Sequence, residues 1–166
     1  LATFIIMFQG FMVAPLLPTF SEQFGTTVRH VSFIEPAYLL GYGLFTLVYA
    51  PLSDRIGRFR IVAFCLLMFS LFTLLTAFVN GINQMIFLRL LTGIGAAGIA
   101  PTTISWISDT YPYEKRGHAL GIFFGSVAGG TAFGASTGSL ITSLTGWQWL
   151  FVGVAIIGLV IFTLIF

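Results

Sequence analysis

Two ionisable residues stand inside stretches that are otherwise apolar: Glu35, in Ile34-Glu35-Pro36-Ala37, and Arg89, in Phe87-Leu88-Arg89-Leu90. A charge within hydrocarbon is costly, so such residues turn to a protein interior, pair with one another, or serve a site. Burial favours the protonated carboxyl and a nearby arginine favours the ionised one. A carboxyl held between those pulls changes charge when its exposure changes. The chemistry open to Glu35 and Arg89 is therefore proton exchange, with Arg89 also placed to touch a substrate. Eight of the other ten charged residues gather in two short clusters, Asp54-Arg55-x-Gly57-Arg58-x-Arg60 and Asp109-x4-Glu114-Lys115-Arg116. The first packs four of the chain's twelve Asp, Glu, Lys and Arg residues into seven positions. There is no glycine-rich phosphate loop, no nucleophile–base pair and no metal-ligand spacing, so nothing points to an enzyme, a cofactor or a metal. Cys65 is alone in an apolar run and reads as a small buried hydrophobe. His30 and His118 read as ordinary interfacial residues.

The elements that must position these residues follow from composition. Of 166 residues 57% are hydrophobic and 7% charged. A soluble domain carries about a quarter charged residues, so this chain belongs in lipid. A net charge of +2 is too small and too localised for nucleic-acid binding. Runs of about 20 apolar residues cross a bilayer as helices. Six such spans are predicted, at about 1–20, 31–53, 59–79, 84–108, 118–143 and 147–166. Leu1 opens directly into apolar sequence, with no basic segment and no cleavage site, which argues against a signal peptide. Both ends read as cut from a larger protein.

Arg55, Arg58, Arg60, Lys115 and Arg116 lie in the turns after the second and fourth spans, and only Arg29 lies in a loop on the other side. That bias places those turns and both ends of the segment in the cytoplasm. Trp147, Trp149, Phe151 and Tyr38 then fall near the outer interface as an aromatic belt. Arg89 lies about four to six residues into the fourth span, roughly 6–9 Å deep. Glu35 lies at similar depth in the second. A pair at 4 Å gains about 4 kcal/mol at an effective dielectric near 20, enough to offset the burial of Arg89. Snorkelling of both side chains to the interface is the alternative.

Two further patterns concern shape. Gly57 suits a tight connection between the second and third spans. In the fifth span Gly121, Gly125 and Gly129 form one row, and Gly130, Gly134 and Gly138 a neighbouring one. Rows of glycine let another helix backbone approach closely in lipid. Two partners are open: a helix of this segment, in static packing, or a movable contact with a part of the protein outside it.

Four stretches carry a resemblance over the whole chain. Leu52-Ser53-Asp54-Arg55-x-Gly57-Arg58-x-Arg60 resembles the signature loop of the major facilitator superfamily, with Ala50 and Phe59 departing from it. Arg89-x3-Gly93-x-Gly95-Ala96-Ala97 resembles its fourth-helix motif. Asp109-x2-Pro112-x3-Arg116-Gly117 resembles the loop that follows. Gly121-x8-Gly130-x3-Gly134-Ala135-x2-Gly138-Ser139 resembles the fifth-helix antiporter motif, where Ala135 replaces proline and Ser139 the last glycine. The drug:proton antiporters are the nearest group. The resemblance implies an all-α integral membrane fold, six transmembrane helices forming the N-terminal half of a twelve-helix transporter. It implies alternating access, with the first and fourth spans lining the cavity, the second and fifth meeting the C-terminal half, and the third and sixth facing lipid. It also implies a conformational latch of Asp54, Arg55, Gly57, Arg58, Asp109 and Arg116.

The expected function is proton-coupled export of a small hydrophobic or amphipathic compound across a cell (inner) membrane, with a cavity wall that includes Met7, Phe8, Phe11 and Met12. Transport of a sugar or organic acid by symport or facilitated diffusion is the first alternative. A membrane scaffold or channel without a transport cycle is the second. The partners implied are the substrate, protons, the bilayer and the missing half.

Overall fold

A computed structural model of the chain describes residues 1–165, with the side chains of Ser139, Ile141, Ser143, Leu144 and Thr145 left out. The departure read at Ser139 and the end of the sixth span at Phe166 thus lie outside the described residues. Among the described residues six helices are long and apolar enough to cross a membrane: Ala2–Gln23, Val28–Ile56, Arg58–Thr76, Ile82–Thr110, Tyr113–Gly138 and Trp147–Ile165, the fifth continuing as helix to Thr145. No strand occurs among the described residues. The second span packs mainly on the fourth, the first on the fifth, and the third on the fourth and sixth.

The spans are longer at the charged turns than the predicted boundaries 31–53 and 118–143. The second helix runs through Asp54 and Arg55 to Ile56, leaving Gly57 as the whole connection to Arg58. Gly57 makes that reversal at φ 107°, a conformation that a Cβ would disfavour. The fifth helix starts at Tyr113, because Pro112 holds an extended backbone just before it and Glu114 favours the helix N-terminus. Hydropathy marks where the chain leaves lipid, whereas hydrogen bonds continue until a breaker, so charged residues stay helical. At the opposite end the third helix stops at Thr76, short of 79, where Ala77 and Phe78 form a tight turn.

Three spans are interrupted, the second of them only near its start, where Ser32 and Phe33 separate Val28–Val31 from Ile34–Ile56. The first, expected as one helix over 1–20, is α-helical over Ala2–Phe11, passes through a 3-10 turn at Ala14–Leu16 and resumes at Leu17–Gln23. Pro15 and Pro18 supply no N–H to the preceding turn, which accounts for the interruption. The fourth, expected as one helix over 84–108, consists of Ile82–Ala96 and Ile99–Thr110. The far end is tied across the bundle by aromatic contacts: Trp147 donates its indole N–H to Gln23 Oε1 and meets Phe20 edge-on, with ring centroids 5.2 Å apart.

Candidate functional site

The fourth helix must cross the second very closely to bring Arg89 to Glu35. A Cβ on Gly93 would fall on the carbonyl of Tyr38, and one on Gly41 on the carbonyl of Leu90. Two glycines therefore let backbone meet backbone, the arrangement lipid-embedded helices use when small residues line the contact. Glu35 and Arg89 each lie seven residues past the start of their spans, about 10 Å along the axis at 1.5 Å per residue.

Arg89 is fully buried, with no exposed surface, which excludes snorkelling. Its Nη2 lies 3.4 Å from Glu35 Oε1, and its Cζ sits 5.0 Å from the centre of the Tyr38 ring. A desolvated cation over an aromatic face gains about 2 kcal/mol. Tyr38 thus completes a site that the ionisable residues alone do not reveal. It lies one turn from Glu35, and a Cβ on Gly10 of the first span would meet its ring and hydroxyl in ordinary van der Waals contact. The Glu35 side chain keeps 27% of its surface exposed against 0% for Arg89. Glu35 is therefore the member of the pair that meets the surroundings. Arg89 Nε and Nη1 find no hydrogen-bond partner among the described residues, and neither does the fully buried carboxamide of Gln9 in the first span. Gln9 is a polar residue in an otherwise apolar helix, and its burial follows from the face that packs inward.

At the other end Arg58 Nη2 lies 3.1 Å from Asp54 Oδ1 and 2.6 Å from Asp109 Oδ2, joining three spans' ends. Both carboxylates are exposed, so this cluster contributes little to folding. Asp109→Asn should lower the stability of the purified protein by under about 1 kcal/mol, read by thermal unfolding at low and high salt. Arg55 is exposed beside the cluster and enters no ion pair among the described residues, while Arg116 Nε donates to the carbonyl of Tyr111 at 3.0 Å.

The fifth-span glycines divide. Cβ atoms on Gly130, Gly134 and Gly138 would fall on the carbonyls of Phe4, Phe8 and Met12. This row packs on the first span of the same segment, the first of the two partners left open by the sequence. A Cβ on Gly121 would meet nothing within 4 Å among the described residues. Met12, expected in a cavity wall, is fully buried in this packing, whereas Phe11 is exposed. Among the described residues no group of acidic, His and Cys side chains is placed to hold a metal.

Residues 1–166 match the family model of the Major Facilitator Superfamily. The chain is similar to the puromycin resistance protein of Streptomyces alboniger, 31% identical over 89% of this chain and 30% of that protein. It is also similar to the benzoate transport protein of Acinetobacter baylyi, 28% identical over 91% of this chain and 34% of that protein. Its fold is that of a bacterial homologue of the human lysosomal transporter Spinster in an inward-facing, occupied conformation, with TM-score 0.86 at 20% identity, covering 99% of this chain and 41% of that one. The chain thus spans about a third of the length of these curated relatives.

Proposed function

This chain belongs to the Major Facilitator Superfamily, and from that premise we propose that it forms the N-terminal six-helix half of a proton-coupled exporter of small hydrophobic or amphipathic compounds. It is an integral membrane protein of a transporter family; direction, coupling and substrate are the proposal. The observation that carries it is the buried Arg89 held by the partly exposed Glu35. That arrangement suits a carboxyl that loses its arginine when it takes up a proton. The first and fourth spans, both interrupted, supply backbone that rearranges around it. The likeness to a puromycin resistance protein supports export of a compound with a large apolar part.

In this reading Asp54, Arg55, Gly57, Arg58, Asp109 and Arg116 act as a latch at the cytoplasmic face, assigned to that side by the positive-inside bias. Arg58 holds both carboxylates while the latch is shut, and the second half draws Asp54 away when it opens. The glycines of the fifth span keep the first span close to the fifth during the cycle.

A second reading, uptake of an organic acid, is favoured by the similarity to a benzoate transport protein. Sealed proteoliposomes holding the full-length protein separate the two. An exporter that exchanges substrate for protons accumulates substrate when the interior is acid, as protons leave. A symporter accumulates it when the exterior is acid. Flux that ignores either gradient belongs to a facilitator, and the absence of flux contradicts transport altogether.

A further inference from the structure

Between the two charged contacts of the fourth span lies a feature that neither of them uses. The span breaks at Ala97 and Gly98. Pro101 is the cause: it has no N–H to give to the residue four places earlier, which is Ala97, and its ring crowds that carbonyl. A carbonyl left bare inside lipid costs several kcal/mol. Thr46 of the second span covers it. Its Oγ1 lies 3.1 Å from the Ala97 carbonyl and 2.7 Å from the carbonyl of Tyr42, four residues earlier in its own helix. A threonine hydroxyl carries one proton, so the two carbonyls compete for it. Bonding to Tyr42 is self-sufficient; bonding to Ala97 ties the fourth span to the second.

The segments on either side of the break are held unequally. Ile82–Ala96 buries seven of its fifteen residues and carries Arg89, locked against the second span at Gly93 and against the third at Gly95. Ile99–Thr110 buries three of twelve and carries Asp109, which reaches Arg58. The first segment is the more deeply packed arm; the second is more exposed and rests on the second, third and fifth spans. Their joint lies between Glu35–Arg89 and Arg58–Asp109, and Thr46 is the side chain from another span that donates to it.

We propose that Thr46 is a positioning residue of the transport cycle: by giving its proton to Ala97 it holds the proline hinge of the fourth span, and by returning it to Tyr42 it frees the segment that carries Asp109. This rests on the transporter reading above and adds to it a physical link between the buried pair and the charged cluster. Losing one hydrogen bond of this kind shifts a two-state balance by roughly five-fold.

The test uses the full-length protein with spin labels at the exposed positions Asn83 and Thr110, one on each arm. Thr46→Val keeps the side chain's shape without the hydroxyl, and should shift the distance distribution toward the bent form by roughly five-fold and slow turnover comparably. Thr46→Ser should retain the wild-type distribution. Pro101→Ala restores an N–H for Ala97, so in that background Thr46→Val should change neither distance nor turnover. An equal effect of Thr46→Val in both backgrounds, or none in either, overturns the proposal. A distance shift without any change in turnover overturns its role in transport. The distance measurement needs no substrate, so failure of the transporter reading is seen separately, as absent flux in the wild type.

Discussion

Arg89→Ala abolishes transport and lowers the stability of the folded protein; this is the largest effect expected of any single change near the pair. The substitution leaves Glu35 partly buried without its ion partner and opens a void beneath the Tyr38 ring. Breaking a buried pair by removing one member costs about 3–5 kcal/mol, because the remaining charge is uncompensated. Arg89→Lys keeps the charge but loses the planar contact with Tyr38, and should recover stability in part while transport stays low. Thermal unfolding in detergent, beside flux in proteoliposomes, reads both effects. Wild-type flux by Arg89→Ala would remove the pair from the mechanism.

Gly134→Leu should prevent accumulation of folded protein. The position where its Cβ must go is occupied by the carbonyl of Phe8, a backbone atom of the first span that cannot rotate away. Overpacking a tight site typically costs about 1–3 kcal/mol even where side chains yield, and here a helix must shift. Gly121 lies on the same span, but a Cβ there would meet nothing within 4 Å among the described residues, so Gly121→Leu should express and unfold like the wild type. Yield of monodisperse protein and its melting temperature compare the two. Equal behaviour of the two variants would contradict the packing of the first span on the fifth.

The pairing of Glu35 with Arg89 was legible in the sequence because lipid allows few ways to hold a charge, and few acids share Arg89's side of the membrane. Tyr38 was not legible as part of the site. A tyrosine near an interface has an ordinary role as an anchor, and only the crossing at Gly41 and Gly93 turns its ring under Arg89. Helical spacing identified Gly130, Gly134 and Gly138 as a close-contact face but could not identify the partner. Periodicity gives the side of a helix that is smooth, whereas the neighbour is set by tertiary packing. The break in the fourth span had a signal in Pro101, which a hydropathy reading passes over because proline interrupts hydrogen bonds without adding charge. The charged turns were read as loops for the opposite reason: their polarity marks the membrane boundary, and the helices continue beyond it.

The central claim is that Glu35 carries the proton coupling, and Glu35→Gln tests it most directly. The amide keeps the size of the side chain and can still accept a hydrogen bond from Arg89, but it has no proton to exchange at neutral pH. In proteoliposomes with the full-length protein, Glu35→Gln should still exchange labelled for unlabelled substrate across the membrane. It should no longer accumulate substrate when the interior is made acid. Accumulation by Glu35→Gln at the wild-type level under the same pH gradient would contradict the account and move the coupling residue elsewhere in the transporter.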